Sequence, residues 1–164
     1  MAWFQGKLEF GPRALGNRSI LADPRDPNMK DLINKKVKFR EEFRPFAPSV
    51  LFEYANEYFQ PVVHSPYMSI VCDVIPEKRN KIPAVTHVDG TARIQTVEYR
   101  QNPIYYQMIK EFYALSGVPM VLNTSLNIKS MPICSSPEDA LECLLNSGID
   151  CLIIGNYLVW KVTV

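Results

Sequence analysis

Two arginines flank a glycine-containing turn near the start of the chain, in the stretch EFGPRALGNRS (residues 9–19). Arg13 and Arg18 carry like charges, so holding them close together is costly unless a negatively charged group lies nearby. The two glycines of this stretch allow the backbone to bend and approach a ligand, and Pro12 presets the backbone angle of a first helical turn. A short helix start here, with free N–H groups and flanking arginines, would make an anion site, but two arginines near glycines are also common in ordinary loops, so this stretch alone leaves both interpretations open.

Three further basic residues lie beside turn or strand-end signals. Lys38 belongs to the run KKVKFR, Arg44 is set between the aromatic residues Phe43 and Phe46, and Arg93 follows a glycine turn. Cations at the end of a helix also offset its dipole, which gives part of the lysine-rich run a structural explanation. Stacking on the two aromatic rings would hold Arg44 rigidly. A lone arginine early in a strand is typical of a solvent-facing position. Arg93 therefore indicates a ligand site only in combination with the other basic residues.

Small amide and hydroxyl side chains follow a short apolar segment in the sequence LNTSLN, which contains Asn123 and Ser125. Polar residues at the end of a buried strand are where α/β folds bind ligands. The same residue types also cap and turn chains, so this signal alone leaves both readings open. Taken with the basic residues, it predicts a pocket for phosphate and a planar polar group.

Capping residues, prolines and glycines mark the predicted starts and ends of three helices. Asp26, Asn102 and Ser136 each precede a proline, and a capping residue followed by proline predicts the start of a helix. Gly117 and Gly148 are predicted to end the second and third of these helices.

Apolar runs between the predicted helices indicate strands. They cover residues 3–4, 49–52, 68–75, 92–99, 120–122, 151–154 and 157–162. Gly155 and Asn156 form a two-residue break that predicts a hairpin. Helices mixed with both sequential and paired strands favour an α/β fold with a mixed sheet. A core strand so close to Met1 leads us to expect a domain excised from a longer protein.

Length and composition limit the classes of function. A chain of 164 residues is long enough for one domain with a sizeable core. Its net charge of +1 argues neither for nor against a polyanion partner, but ten of the 18 basic residues fall within the first 50 positions, where phosphate binding is expected. The four cysteines and two histidines have no metal-ligand spacing, so we expect reduced thiols and no metal site. With no apolar leader and no run long enough to span a membrane, we expect a cytoplasmic protein.

Residues 3–160 resemble the C-terminal domain of the O-carbamoyltransferases that act on nodulation factors and antibiotics. The matching stretches are WFQG (3–6), EFGPRALGNRS (9–19), KFRE (38–41), FRPF (43–46), HVDGTAR (87–93) and NTS (123–125). The resemblance covers almost the whole chain, and FGPRALGNRS and FRPF are its most specific parts.

The resemblance implies a fold, a reaction and a set of residues. It implies that residues 1–164 form a single YrdC-like α/β domain, with a twisted mixed sheet flanked by helices. It also implies that this domain binds ATP with Mg²⁺ and carbamoyl phosphate, and forms carbamoyl adenylate with release of pyrophosphate. The ligand-binding residues carried over from the family are Arg13, Lys38, Arg44, Arg93, Asn123 and Ser125, with catalytic roles for Arg13 and Lys38.

In that family a separate N-terminal domain, with an actin-like fold and a metal, transfers the carbamoyl group to a hydroxyl acceptor. That domain is absent from this sequence, so we expect it as a partner in cis or in trans, and we do not expect transfer by this chain alone. Two other functions stay open. The chain could be a binding module for nucleotide and carbamoyl phosphate without turnover, or a double-stranded RNA-binding domain. The near-zero net charge disfavours nucleic acid.

Overall fold

In the computed structural model, which describes residues 1–162, nine strands form one mixed sheet. The strands are β1 (Ala2–Phe4), β2 (Arg18–Ala22), β3 (Ala47–Leu51), β4 (Phe59–Gln60), β5 (Ile70–Val74), β6 (Thr91–Val97), β7 (Met120–Ser125), β8 (Cys151–Ile154) and β9 (Tyr157–Trp160). Their order is β4-β5-β6-β3-β7-β2-β1-β8-β9. The β1–β8 and β3–β6 pairs are parallel and the other six are antiparallel. The α/β class with a mixed sheet is confirmed.

Three α-helices accompany the sheet, namely α1 (Met29–Ile33), α2 (Pro103–Ser116) and α3 (Pro137–Leu145). The starts predicted for α2 and α3 are confirmed, because the Asn102 side chain accepts from the backbone of α2 and Ser136 forms a capping box with Asp139. Gly117 ends α2 in the left-handed conformation, as predicted. Helix α3 ends at Leu145, before the predicted glycine.

The first helix does not start at the predicted cap Asp26, because its N-cap is Asn28. It starts at Met29 and gives way to a π-helical turn over Asn34–Lys38. Phe39 follows with a left-handed backbone angle, φ 48°. This ending turns the chain sharply into residues 40–46, which carry two arginines.

Hydrophobic residues pack on both faces of the sheet. Neighbouring residues in a strand point to opposite faces, and Ile20 and Leu21 accordingly belong to different core clusters. One cluster includes Ile33 and Leu144 from α1 and α3, and the other includes Tyr105 from α2. Helix α2 therefore covers one face, and α1 and α3 cover the other.

Strands β2 and β4 have no counterpart among the predicted strands, and β7 is longer than predicted. Strand β2 was not predicted, because its first residues, Arg18 and Ser19, are polar although both are buried. Strand β7 runs through Ser125, so Asn123 and Ser125 lie within a strand and not in a turn after it. Because β7 pairs with β2 on one side and β3 on the other, its extended backbone continues past its apolar half. The hairpin at Gly155 is confirmed as β8–β9.

None of the helices within residues 1–162 is long and apolar enough to cross a membrane. The four cysteines are free thiols, of which Cys72, Cys134 and Cys143 are buried and Cys151 is half-buried.

Candidate functional site

A cavity of about 450 Å³ opens at the edge of the sheet where β3 and β6 begin and β7 ends. It is lined by Pro12, Arg13, Ala14, Arg40, Arg44, Pro45, Phe46, Ala47, Met68, Val71, His87, Arg93, Asn123, Thr124 and Ser125. Five of the six ligand-binding residues expected from the sequence therefore meet at one place, and Lys38 is the one that does not line the cavity. Four of the lining residues are arginines, and none of them is acidic.

The four arginines form two neighbouring pairs of like charge. Burial, followed by the nearby charge of Arg13, lowers the pKa of the Arg93 guanidinium. In the same way, burial and then Arg44 lower the pKa of Arg40. Arg44 has a carboxylate partner, Glu41, at 3.1 Å, whereas the other three arginines make no ion pair within residues 1–162. Such a cavity stabilises a bound group that carries negative charge.

The stretch 9–17 forms an irregular loop and not the expected helix start. One carboxylate oxygen of Glu9 accepts from the backbone N–H groups of Leu15 at 2.7 Å, Asn17 at 2.8 Å and Arg18 at 3.2 Å. These N–H groups are therefore occupied by the chain itself. The expected helix start is therefore absent, and these three N–H groups are not available to an anion.

Arg18 has a structural position. Its guanidinium lies 3.5 Å from the centroid of the Phe4 ring and donates to the carbonyl oxygens of Gln5 at 2.7 Å and Gly6 at 3.2 Å. Arg18 is not among the residues that line the cavity, so of the two arginines in the stretch 9–19 only Arg13 lines it.

A buried amide network fixes the 9–17 loop to the sheet. Asn123 Nδ2 lies within hydrogen-bond distance of Ala14 O at 3.1 Å, Ser49 Oγ at 2.9 Å and Gln95 Oε1 at 3.1 Å. Gln95 Nε2 in turn donates to Leu15 O at 2.9 Å. Asn123, Ser49 and Gln95 come from β7, β3 and β6, so the loop that carries Arg13 is tied to three neighbouring strands.

Lys38 lies beside the cavity wall and is buried. Its Nζ contacts the backbone oxygens of Ser125 at 2.5 Å and Asn127 at 3.1 Å, and Asn127 Oδ1 at 2.7 Å. Its contact with the Ser125 hydroxyl is longer, at 3.3 Å. Burial, with a smaller effect of Arg40, lowers the pKa of Lys38 to about 7. Lys38 thus holds the end of β7, where Ser125 faces the cavity.

The buried Asn34 organises the segment that carries Arg40 and Arg44. Its Nδ2 donates to the backbone oxygens of Glu42 at 3.2 Å and Arg44 at 3.0 Å, and its Oδ1 accepts from Arg40 Nε at 2.8 Å. The ring of Phe46 packs on Arg40, with 5.0 Å between the guanidinium carbon and the ring centroid. The expected stacking of Arg44 between two aromatic rings is therefore wrong; Arg40 occupies the aromatic position.

Sequence reasoning missed several residues that line the cavity. Arg40 belonged to the recognised basic run but was not chosen as a ligand, and His87 lay in a recognised motif without a role. Burial lowers the pKa of His87, which favours its neutral form. Met68 and Val71 gave no sequence signal, because apolar residues in and beside a strand are ordinary. Within residues 1–162, no group of three His, Cys, Asp or Glu side chains is arranged to hold a metal ion.

Residues 1–161 match the family model described as the carbamoyltransferase C-terminus. The chain belongs to this family.

Its relatives include nodulation proteins. The chain is 52% identical over 166 residues to nodulation protein NolNO of Sinorhizobium fredii, covering 99% of this chain and 24% of that protein. It is 49% identical over 164 residues to nodulation protein NolO of Bradyrhizobium diazoefficiens, covering 98% of this chain and 30% of that protein. Nodulation protein U of Rhizobium tropici is 44% identical over 143 residues, covering 87% of this chain and 24% of that protein. The chain therefore spans less than a third of the length of these relatives.

Proposed function

We propose that the cavity binds ATP and carbamoyl phosphate and forms carbamoyl adenylate, for use by another part of a carbamoyltransferase. One observation carries this proposal: two neighbouring guanidinium pairs, Arg13 with Arg93 and Arg40 with Arg44, share a cavity whose lining has no acidic residue. Holding like charges together is costly without a bound anion. Phosphate groups supply that anion, and membership of the carbamoyltransferase family supports the carbamoyl donor.

The proposed reaction has two balanced steps. Water first cleaves carbamoyl phosphate into carbamate and inorganic phosphate. A carbamate oxygen then attacks the α-phosphorus of ATP, a new oxygen–phosphorus bond forms, and the bond to the bridging oxygen breaks as pyrophosphate leaves. The arginines would stabilise the charge that builds on the phosphoryl oxygens, which is the main protein contribution in phosphoryl chemistry. Mg²⁺ would accompany the ATP phosphates, held mostly by phosphate and water oxygens.

The side chains divide into ligand contacts and supports. Arg13, Arg44, Arg93 and Ser125 are proposed to contact the phosphate or carbamoyl groups. The Nδ2 group of Asn123 is already engaged by loop and strand oxygens, so its proposed contribution is to hold the cavity wall as well as to face the ligand. The proposed catalytic effect of Lys38 acts through Ser125, which its ammonium touches.

The test measures binding and turnover separately. Calorimetry should show that ATP and carbamoyl phosphate bind and that binding weakens as salt rises. The isolated chain should release pyrophosphate from ATP when carbamoyl phosphate and Mg²⁺ are present, without carbamoylating a hydroxyl acceptor. Arg13→Ala should slow pyrophosphate release by about 10²-fold, more than it weakens ATP binding. Arg100→Ala is the matched control, because Arg100 is exposed and lies outside the cavity lining.

Each outcome separates the candidate functions. Binding of both ligands without pyrophosphate release would favour a binding module that needs its partner. Absence of binding at millimolar ligand would reject the proposed function.

A further inference from the structure

His87 is the one lining residue of the cavity that can exchange a proton near neutral pH, within the part of the chain that the structure describes. The other lining side chains are arginines, Asn123, two hydroxyl residues and apolar residues. Arginine keeps its proton in proteins, and amides and hydroxyls do not ionise near neutral pH. The reaction proposed above begins with cleavage of carbamoyl phosphate by water, and the water must lose a proton in that step. The cavity therefore offers one side chain that can receive this proton.

Two neighbours in the same turn orient the His87 ring. Nδ1 of His87 lies 3.1 Å from Oγ1 of Thr91, and the Thr91 hydroxyl donates to Oδ1 of Asp89 at 2.7 Å. Because Thr91 has one hydroxyl hydrogen and the carboxylate receives it, the Thr91 oxygen accepts from Nδ1–H of His87. The hydrogen bond at one ring nitrogen sets the tautomer, so Nε2 of the neutral ring carries the lone pair. A base that is itself oriented by a third group is the usual arrangement for proton transfer.

Charges on the neighbouring elements act on His87 in opposite directions. Burial lowers its pKa most and the charge of Arg93 on β6 lowers it further, whereas Asp89 and the backbone of Phe46 raise it. The other arginines that line the cavity are Arg13, Arg40 and Arg44. The neutral ring, which can accept a proton, is therefore favoured, and Asp89 stabilises the imidazolium that forms when it does.

Lys38 is the competing proton acceptor, because its pKa is about 7. Its Nζ contacts oxygen atoms of Ser125 and Asn127. These oxygens accept hydrogen bonds, so they favour an amine that presents hydrogens to them and not a lone pair. Lys38 also lies outside the cavity lining. The contacts therefore favour His87 as the acceptor, and the experiment separates the two.

We propose that His87 is the general base of the first step, which removes a proton from the water that cleaves carbamoyl phosphate. This role rests on the proposed function, because it belongs to a step of that reaction. The water oxygen forms a bond to phosphorus while one water hydrogen passes to Nε2 of His87. The bond between phosphorus and the bridging oxygen breaks, and its electron pair leaves with carbamate. The imidazolium then gives the proton to the phosphate product, which regenerates the neutral ring.

The test measures phosphate release from carbamoyl phosphate, with ATP and Mg²⁺ present, and carbamoyl phosphate affinity by calorimetry. His87→Asn keeps an N–H donor for Thr91 but lacks a basic nitrogen, and His87→Ala leaves space for added imidazole. His64→Asn is the matched control, because His64 is the other histidine of the chain and lies outside the cavity lining. Phosphate that forms without protein is subtracted from every rate.

We expect His87→Asn to slow phosphate release by about 10²–10⁴-fold, the usual contribution of a general base, and His64→Asn to leave the rate unchanged. Carbamoyl phosphate affinity should change by less than about threefold in His87→Asn, because the lost interaction belongs to the transition state. Added imidazole should restore part of the rate of His87→Ala. The wild-type rate should also fall at acid pH as His87 gains a proton, and His87→Asn should lack this fall. Lys38 is retained in both proteins, so its titration does not produce the difference.

Unchanged phosphate release in His87→Asn would overturn the assignment of His87. Equal losses of affinity and rate, without rescue of His87→Ala by imidazole, would also overturn it, because they indicate a structural role. A fall at acid pH that persists in His87→Asn would assign the base to another group such as Lys38. If the wild type still binds both ligands and releases pyrophosphate in these cases, the proposed function stands without His87 as its base. A wild type that releases no phosphate would reject the first step of the proposed function and the role of His87 together.

Discussion

The ammonium group of Lys38 lies 2.7 Å from Oδ1 of Asn127 and also contacts the backbone oxygen of Ser125. A buried cation thus joins two segments of the cavity wall, the one that continues into residues 40–46 and the end of β7. Neither Lys38 nor Asn127 lines the cavity, whereas Ser125 does. The relationship assigns Lys38 to the support of the wall.

Replacing Lys38 should therefore affect stability and binding together. We expect Lys38→Met to lower the free energy of unfolding by about 1–3 kcal/mol, because it leaves buried oxygens without a donor. ATP affinity should fall as well, since Ser125 loses its contacts with the Lys38 side chain. Lys35→Met is the control: Lys35 is exposed on the same π-helical turn, and its loss should change stability by less than about 0.5 kcal/mol. Urea unfolding and calorimetry measure both effects, and an unchanged Lys38→Met would contradict the assigned role.

The lowered pKa of Lys38 predicts a pH dependence of stability. The folded-state pKa is about 7, below the ordinary lysine value, so between pH 7 and the unfolded-state pKa the unfolded chain binds more protons. The stability of the wild type should consequently rise with pH in that window, by up to about 1.4 kcal/mol per pH unit relative to Lys38→Met. Arg40, Cys134 and Cys143 are the charged or titratable groups that act on Lys38, and all three are retained in the variant. The measurement is urea unfolding of both proteins at pH 7 and pH 9. An equal difference in unfolding free energy between the wild type and Lys38→Met at the two pH values would contradict the prediction.

Arg44 should matter for binding and not for folding. Its side chain is half-exposed and pairs with Glu41 in solvent, so Arg44→Ala should leave the unfolding free energy within about 0.5 kcal/mol. Carbamoyl phosphate affinity should fall by about tenfold or more, and Arg44→Lys should restore little of it, because an ammonium lacks the two-pronged donor geometry of guanidinium. Calorimetry measures the affinity of each variant for carbamoyl phosphate. An Arg44→Lys variant that binds it like the parent would show that the proposed contact between Arg44 and the ligand is wrong.

Two glycines of the 9–17 loop give a matched test of packing. Gly16 has φ +108°, and a Cβ atom there would lie 2.3 Å from the Tyr105 ring. Gly11 has φ +121° with no atom within 4 Å of such a Cβ. Gly11→Ala should therefore cost only the backbone strain, about 1–3 kcal/mol, and Gly16→Ala should cost clearly more because α2 must move. Thermal unfolding measures the stability of the two variants. Equal losses of stability would mean that the Tyr105 ring moves aside without an energetic cost.

The amide network predicts coupling between strands β3 and β7. Ser49→Ala and Asn123→Ala should each be destabilising, but the double variant should lose less than their sum, because the two side chains hydrogen-bond each other at 2.9 Å. We expect an interaction energy on the order of 1 kcal/mol. Urea unfolding of the four proteins in the cycle measures it, and strict additivity would indicate that the contact contributes nothing to stability.

Local signals in the sequence predicted the parts of the fold that local chemistry determines. The helix starts at Asn102 and Ser136 and the turn at Gly155 depend on residues next to them in the chain, and all three formed as predicted. The length of β7 depends on its neighbours β2 and β3, which the sequence of β7 does not reveal.

The candidate site likewise combines features that the sequence predicted with features that depend on packing between distant residues. Five of the six predicted ligand-binding residues line one cavity, because the resemblance carried their positions. Residue types alone do not separate Arg13 from Arg18, since both are arginines in one glycine-containing stretch, and only the resemblance selected Arg13 as a ligand-binding residue. Only the packed structure shows Arg18 on the Phe4 ring and Arg13 at the cavity. Likewise, Arg40 and not Arg44 packs on the Phe46 ring. The Arg40 side chain is held by Asn34, which lies outside the FRPF motif, so the motif alone does not reveal this contact.

The place of β1 in the sheet has a consequence for how the chain folds. Ala2 pairs with Ile20 on one side and with Leu152 on the other, and the Gln5 side chain donates to Gly155, 150 residues further along. Contacts between such distant residues form slowly, because a long loop must close before they can stabilise anything. During synthesis β1 has a neighbour only on its β2 side until residues 151–154 leave the ribosome. Strand β1 therefore gains its second neighbour only after seven of the other eight strands have been made.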